Sequence, residues 1–206
     1  MTTGAAPRAR VPQSERTRAM RARLLEATVE LLVERGFTGT TTTLVSQRAG
    51  VSRGAQLHHF PTKNDLVVAA VEHLASLRGA ELAAAAAELP EGEGRTRAVL
   101  QVLGDHFAGP VFAAALELWV AARTDEVLLA AVAPLEARIG RETHRVTLEM
   151  LGVTEDRPGV RELVQATLDL VRGLGLADTI TDDRRRRERI LDQWAETLDR
   201  AIREGR

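Results

Sequence analysis

The sequence predicts an all-α protein of nine helices, because helical spacing of apolar residues dominates the chain. Strand signals are nearly absent: aromatic residues make up only 3% of the 206 residues, tyrosine is missing, and no two-residue hairpin sequence separates alternating apolar runs. The predicted helices span residues 14–35, 40–49, 53–59, 62–89, 95–108, 110–123, 125–151, 159–176 and 182–204.

The first helix is predicted to end at a glycine. Gly36 is expected to form a left-handed cap, with Phe37 folding back on Leu32 as in a Schellman motif. The threonines that follow suit a helix start, since β-branched side chains lose rotamer freedom inside a helix. Either Thr40 or Thr41 is therefore expected to cap the second helix.

Turn and capping residues separate the remaining segments. Gly50 is expected to turn the chain before a third helix capped by Ser52. Pro61 ends that helix, and Thr62 with Asp65 has the spacing of a capping box. Further along, residues 90–94 and 152–158 read as connectors because glycine and proline are concentrated there.

Composition excludes several classes of protein. The chain has no cysteine, so disulfides, cysteine-ligated metals and cysteine nucleophiles are excluded. Its first ten residues hold no apolar stretch typical of a signal peptide. The longest apolar run, residues 110–122, is interrupted by Glu117 and is shorter than the ~20 residues that span a bilayer. We therefore expect a cytoplasmic protein without a membrane segment.

Charge is distributed unevenly between the two ends of the chain. Ten basic and five acidic side chains give residues 1–65 a net charge of +5, which leaves −6 for the rest. A basic head on an acidic body suggests that the head alone meets a polyanion. A chance cluster in an arginine-rich sequence is the alternative.

Residues 40–60 have the pattern of a helix-turn-helix: a short helix, a turn that contains Gly50, and a second short helix. Val45 and Val51 are placed to close the small core between the two helices, and Ser46 and Ala49 are small enough to let them approach. In such a motif the second helix enters the DNA major groove, where base edges are distinct.

The same region resembles the DNA-binding head of the tetracycline-repressor (TetR) family. The resemblance rests on LLEATVELLVERGF, TTTTLVSQRAGVS and RGAQLHHFPTKNDL, which lie within residues 24–66. It implies a homodimeric transcription regulator, usually a repressor, whose helical body binds a small molecule and alters affinity for a double-stranded operator. We accordingly divide the chain into a head, residues 1–65, and a ligand-binding and dimerisation body, residues 66–206.

The resemblance also implies roles for individual residues of the head. Arg53 matches the leading base-reading position, where a guanidinium could grip a guanine, and Arg16, Arg18 and Arg21 could add attraction to phosphate. The expected DNA contacts are Thr42, Thr43, Arg53, Gly54, Ala55, His58, His59 and Lys63.

One departure from the family pattern leaves an open choice. Gln56 and Leu57 stand where the family usually has an apolar residue and a tyrosine. Leu57 cannot donate a hydroxyl to phosphate. It could instead touch a thymine methyl, or it could pack inward and turn Gln56 outward.

The body shows no catalytic motif, metal-ligand pattern or cofactor-binding loop, so we expect no catalytic residues, no metal and no cofactor. Large apolar side chains on adjacent helices would serve either as ordinary core or as the lining of a ligand pocket. The expected ligand-binding residues are His106, Phe107, Phe112, Leu116, Trp119 and Arg123.

The last two helices carry apolar stripes at helical spacing. A helix that is apolar beyond one stripe can bury its second apolar face against a helix of another subunit. Two helices from each subunit would then form a four-helix interface. The expected interface residues are Val164, Leu168, Val171, Leu191, Trp194 and Leu198.

Two other functions compete with a DNA-binding regulator. One is a helical enzyme whose head is purely structural, although no nucleophile or acid–base pair is visible. The other is a dimeric helical module that binds a small molecule without reading DNA. The salt dependence of duplex binding separates them, because phosphate contacts make affinity fall steeply with salt.

Overall fold

The computed structural model describes residues 13–204 and folds them into nine α-helices, without a strand among those residues. This confirms the predicted fold class. The helices are α1 Gln13–Gly39, α2 Thr42–Ala49, α3 Arg53–His59, α4 Lys63–Ala87, α5 Arg95–His106, α6 Gly109–Ala122, α7 Glu126–Leu151, α8 Val160–Asp178 and α9 Arg184–Glu204.

The head forms its own small core from α1, α2, the start of α4 and Phe60, the residue that follows α3. Val45 is fully buried there, and Val51 packs against the same cluster. Gly50 adopts φ 62° and ψ 39°, so the predicted left-handed turn between α2 and α3 is confirmed. The turn sets the two short helices at a fixed angle, with α3 on the outer surface.

Capping side chains begin the short helices where the sequence predicts them. Thr41, not Thr40, caps α2 by accepting the N–H of Leu44, while the Thr40 hydroxyl donates to the Gly36 carbonyl. Ser52 caps α3, and both hydrogen bonds of the capping box at the start of α4 are present.

The end of α1 differs from its prediction. Gly36 has a positive φ of 65°, but its ψ of −178° is extended rather than left-handed helical, and helical backbone resumes after it. Phe37 nevertheless packs against the same cluster as Leu32. This cluster also includes residues of α4, α6 and α7, and it joins the head to the body.

The body is built around a larger core from α5, α7, α8 and α9, with contributions from α4 and α6. Most of the residues predicted at the dimer interface face this core. These residues, each at most 6% exposed, are Val164, Leu168, Val171, Leu191 and Leu198, and their role in a dimer stays a prediction.

Trp194 is the one predicted interface residue that keeps a partly exposed side chain, and its indole N–H donates to the Thr167 hydroxyl at 3.0 Å. The apolar stripes of α8 and α9 therefore belong to the chain's own core. An interface through these helices would use their outward faces.

Within residues 13–204, no single helix combines the length and apolarity needed to cross a membrane. The pair α5 and α6, bent by 62° where they meet, passes that test jointly on length and composition alone.

Candidate nucleic-acid interface and ligand cavity

The outer face of α3 begins with an exposed arginine. Arg53 is the first residue of the helix and is exposed, and among the described residues it makes no ion pair or side-chain hydrogen bond. Its guanidinium donors are thus available to an acceptor outside the chain, as a guanine edge in the major groove would be.

Gly54 follows it and leaves open space in front of the helix. A Cβ added there would meet none of the described atoms within 4 Å. Glycine lowers helix stability relative to alanine by up to about 1 kcal/mol. Internal packing therefore does not require the small residue at this position.

The structure decides which of Gln56 and Leu57 faces outward. Gln56 is completely buried, and its amide Nε2 donates to the Phe60 carbonyl at 2.7 Å. Leu57 is 42% exposed. The outer face of α3 therefore carries an apolar side chain where the family pattern has a tyrosine.

The other predicted contacts of α2 and α3 lie at different depths. Thr43, His58 and Gly54 are exposed, whereas Thr42, Ala55 and His59 are half-buried. The two histidine rings meet edge to face, with centroids 5.4 Å apart. All six residues are at least partly exposed at the surface, and their contacts with DNA stay predictions.

Lys63 has an internal partner that the sequence does not reveal. Its Nζ donates to the Phe37 carbonyl at 2.6 Å and lies 3.9 Å from the centroid of the Phe37 ring. Burial lowers the pKa of Lys63. The ammonium group has three donors, so a phosphate contact stays a prediction, but the side chain also ties α4 to the end of α1.

Part of the positive charge of the head is neutralised by ion pairs within the head. Arg48 forms ion pairs with Glu30 at 2.9 Å and Glu34 at 2.8 Å, and so holds α2 against α1. On α1, Arg18 and Arg21 are exposed, and the Arg21 guanidinium lies 4.6 Å from the centroid of the Phe60 ring, beside the end of α3. Arg8 and Arg10 lie outside the described residues.

A half-open cavity of about 110 Å³ lies between α1, α4, α6, α7 and α8 and the end of α5, and we call it the body cavity. Most of its lining is apolar. The aromatic and larger aliphatic residues that line it are Val29, Leu32, Val71, Leu74, Phe107, Val111, Phe112, Trp119 and Ile139. Phe112 stands edge to face between Phe107 and Trp119, with ring centroids 5.6 and 6.2 Å apart.

Five polar side chains also line the body cavity: Arg78, His106, Glu136, Thr143 and Arg172. Burial, with a smaller effect from Arg78, lowers the pKa of His106 to about 4, so the imidazole is neutral at physiological pH. Burial raises the pKa of the Glu136 carboxyl, and this effect is opposed by the Arg172 guanidinium and by a hydrogen bond with Trp119.

The structure brings four of the six predicted ligand-binding residues to the body cavity: His106, Phe107, Phe112 and Trp119. It does not bring Leu116 or Arg123 there. Leu116 packs against the main core, and Arg123 is exposed just beyond the end of α6.

Sequence reasoning missed the charged residues of the cavity. Arg172 follows Val171 and lies four residues after Leu168, both buried, and Glu136 likewise lies four residues after buried Val132. Their sequence signal is a charged residue placed four residues after an apolar core residue, on the buried face of the helix.

A contact from α6 reaches the head. The Glu117 carboxylate accepts a hydrogen bond from the Phe37 backbone N–H at 3.2 Å. A Cβ on Gly36 would lie only 1.8 Å from Glu117 Oε2. The helix that supplies Phe112 and Trp119 to the body cavity thus also holds the end of α1.

These features define a helix-turn-helix protein with a half-open, mostly apolar cavity in its helical body. Residues 24–70 match the bacterial regulatory proteins of the tetR family. Over 188 residues the chain is 31% identical to the HTH-type transcriptional regulator CymR of Pseudomonas putida, covering 89% of this chain and 91% of that protein. The chain belongs to the TetR family of bacterial regulatory proteins.

Two further similarities agree with this assignment. Over 116 residues, 56% of this chain, the sequence is 36% identical to an uncharacterized HTH-type transcriptional regulator of Mycobacterium tuberculosis, and it spans only 60% of that relative's length. A putative transcriptional regulator from Pseudomonas aeruginosa PAO1 shares the fold, with a TM-score of 0.72, 23% identity, and coverage of 96% of this chain and 97% of that one.

Proposed function

We propose that this protein is a transcriptional repressor that binds an approximately palindromic DNA operator as a homodimer in the cytoplasm. A small, partly apolar effector bound in the body cavity releases it. The observation that carries the proposal is the start of α3, where unpaired Arg53 stands beside Gly54 and its open space. This pairing suits a helix that reads base edges at close range.

Within the head, α3 reads the bases and its neighbours fix its register. Arg53 donates to a guanine, and Leu57 offers an apolar surface to a thymine methyl. Thr42 and His59 contact backbone phosphates, which position the helix without specifying sequence. The exposed arginines of α1 add attraction to the duplex that does not depend on sequence.

Dimerisation uses the outward face of α8. Glu162, Ala166, Asp169, Gly173 and Leu176 are exposed and follow one another at alternating steps of four and three residues, the spacing of a seam between packed helices. The small side chains of Ala166 and Gly173 allow close approach. On a palindromic operator the two α3 helices of the dimer would lie about 34–36 Å apart, one turn of DNA.

Effector binding is coupled to the head through α6. A ligand that fits one position of Phe112 and Trp119 better than another shifts the population of those positions. Because Glu117 lies on the same helix and contacts Phe37, the shift alters how the head is held on the body. The separation of the two α3 helices changes, and the operator is released.

Selection of duplexes from a random library with the full-length protein tests the proposal. The affinity of a selected and a scrambled duplex is then measured by fluorescence anisotropy between about 50 and 200 mM salt, over which phosphate contacts cause a steep loss. We expect two protomers on each selected duplex by analytical ultracentrifugation. Arg53→Ala should weaken the selected duplex by about tenfold or more and the scrambled duplex far less.

Arg161→Ala is the matched control, since Arg161 is an exposed arginine of α8 that pairs with Glu155. It should leave both affinities unchanged. Equal losses on both duplexes from Arg53→Ala contradict the base-reading role. Failure to enrich any duplex, or a flat response to salt, contradicts the regulator and favours a module that binds only a small molecule.

A further inference from the structure

Arg172, which lines the body cavity, has a hydrogen-bond donor without a partner. Its Nε is buried and has no hydrogen-bond partner among the described residues. One end of the guanidinium is occupied, because Nη1 donates at 3.0 Å to Asp169, whose side chain is 75% exposed. The group also lies 5.2 Å from the centroid of the Phe107 ring. A buried donor without an acceptor destabilises the folded protein, and a hydrogen bond to a ligand oxygen would remove this cost.

The charges of the lining favour an anion. Arg78 and Arg172 are cationic, and Glu136 is the only acidic residue of the lining. His106 adds no charge near neutral pH. Arg78 Nη2 donates to the carbonyls of Asp105 and His106, and its Nη1 lies 3.5 Å from the carboxylate of Glu81, which does not line the cavity. An anionic ligand would balance the surplus positive charge, whereas a cation would add to it.

The volume and the walls restrict the rest of the ligand. A cavity of about 110 Å³ is somewhat smaller than an engineered protein cavity of about 150 Å³ that binds benzene. The aromatic side chains of Phe107, Phe112 and Trp119 and the aliphatic ones around them offer no hydrogen bonds apart from the indole. The space suits a compact apolar group no larger than one six-membered ring or a branched chain of similar bulk, and because the cavity is only half enclosed, part of such a ligand would extend out of it.

We propose that the effector is a small monocarboxylic acid with a compact apolar body, and that Arg172 Nε receives its carboxylate. The inference rests on the proposed function and deepens it by naming the chemical class of effector. A charge-assisted hydrogen bond to a carboxylate is stronger than one to a neutral oxygen, so the acid should bind better than an uncharged analogue of the same shape.

A groove of about 830 Å³ between α4 and α7 offers the acid a route to the cavity. Ala75, Arg78, His106, Ile139 and Thr143 line both spaces. The Arg138–Glu72 ion pair, 2.5 Å between the charged atoms, crosses the groove at its outer side. An anion that enters from the groove meets Arg78 before it reaches Arg172.

Isothermal titration calorimetry on the full-length protein tests the inference with benzoate, cyclohexanecarboxylate, benzamide and benzylamine. We expect either acid to bind at least about tenfold more tightly than benzamide, and benzylamine to bind most weakly. In Arg172→Met the ratio of acid to amide affinity should fall close to one. Arg172→Lys keeps the charge and should retain part of the preference.

Arg161→Met, on the exposed side of the same helix, is the matched control and should keep the wild-type ratio. Each ratio is compared within one folded protein, checked by circular dichroism, so a general loss of stability does not imitate the result. The inference is overturned if neither acid binds, if benzylamine binds as well as benzoate, or if Arg172→Met leaves the ratio unchanged.

The outcome is separable from that of the proposed function. If the protein binds its selected duplex but neither acid, the effector class is wrong while the regulator stands. If the acids bind through Arg172 but no duplex is selected, the proposed effector site is supported and the proposed role as a DNA-binding repressor is contradicted.

Discussion

The Glu117 carboxylate on α6 accepts the backbone N–H of Phe37, the residue after the break in α1, at 3.2 Å. A Cβ at position 36 would lie 1.8 Å from the carboxylate oxygen, so any other residue there would displace the Glu117 side chain. The same helix lines the body cavity with Phe112 and Trp119. A movement of α6 therefore acts on the head at a point where the backbone and the carboxylate are in close contact.

Gly36→Ala should destabilise the protein through two separable effects. With φ 65° and ψ −178°, the backbone occupies a region open almost only to glycine, and alanine there costs about 1–3 kcal/mol. The collision with Glu117 adds to this cost. In a Glu117→Ala background the collision disappears, so Gly36→Ala should cost less by more than about 0.5 kcal/mol, measured by urea unfolding of the four proteins.

Gly92→Ala is the matched control for this cycle. Gly92 also has a positive φ, 75°, but an added Cβ would meet none of the described atoms within 4 Å. Its cost should be the same with and without Glu117. Additive costs for Gly36→Ala and Glu117→Ala would contradict the close contact between the carboxylate and this backbone.

Gly54→Ala should stabilise the fold and weaken DNA binding. Alanine is the better helix former by up to about 1 kcal/mol, and its methyl group would project into open space. On the selected duplex that methyl would crowd the groove, and we expect a loss of about tenfold. Thermal unfolding and fluorescence anisotropy measure the two effects.

Gly79→Ala provides the comparison, because Gly79 lies in the interior of α4 and also has open space around its Cα. It should stabilise the fold without changing the affinity for the duplex. If Gly54→Ala binds the duplex as tightly as wild type, the close approach of α3 to DNA is contradicted.

Local chemistry explains why the sequence predicted the helix boundaries so closely. Caps such as Ser52 and Thr62 bond to N–H groups three residues ahead, so their effect is visible in a short stretch of sequence. The break at Gly36 shows the limit of this reasoning. Its φ was predictable from glycine, but its ψ depends on Thr40 and Glu117, and Glu117 is far away in sequence.

Tertiary contacts account for the errors in the body. An apolar stripe predicts that one face of a helix is buried, but it does not predict which element packs against that face. Leu191 and Leu198 pack in the core of their own chain. Leu116 is next to Ala115, which lines the cavity, but one step along a helix turns a side chain by about 100°. The meeting of Arg78, from α4, with Arg172, from α8, depends on packing between distant segments.

Substitutions at Gln56 and Leu57 should separate folding from recognition. Gln56 is fully buried and bonded to Phe60, so Gln56→Ala should lower the free energy of unfolding by on the order of 2 kcal/mol. Leu57→Ala removes an exposed side chain and should change stability by less than about 0.5 kcal/mol. It should, however, relax the preference for thymine at one position of the selected duplex.

Urea unfolding and a second round of duplex selection with each variant test this pair, and each variant is the other's control. The reverse pattern, with Leu57→Ala unfolding the head and Gln56→Ala altering base preference, would contradict the orientation of α3.

His106 should make the stability of the protein depend on pH. Burial, helped by Arg78, lowers its pKa to about 4 in the folded state, against about 6.5 in an unfolded chain. As the pH falls below about 6.5, His106 is protonated in the unfolded chain but stays neutral in the folded protein. The free energy of unfolding therefore decreases until the pH reaches the pKa of His106 in the folded state. By about pH 5 the loss amounts to about 2 kcal/mol relative to neutral pH.

His106→Gln removes this proton, and carboxyl groups that titrate in both proteins cancel in the difference between them. Urea unfolding of wild type and variant at about pH 7 and pH 5 measures the difference. His58→Gln, which replaces an exposed histidine of the head, should keep the wild-type profile. If His106→Gln loses as much stability as wild type between the two pH values, the imidazole is not held neutral by burial, and the cavity around it must be open to water.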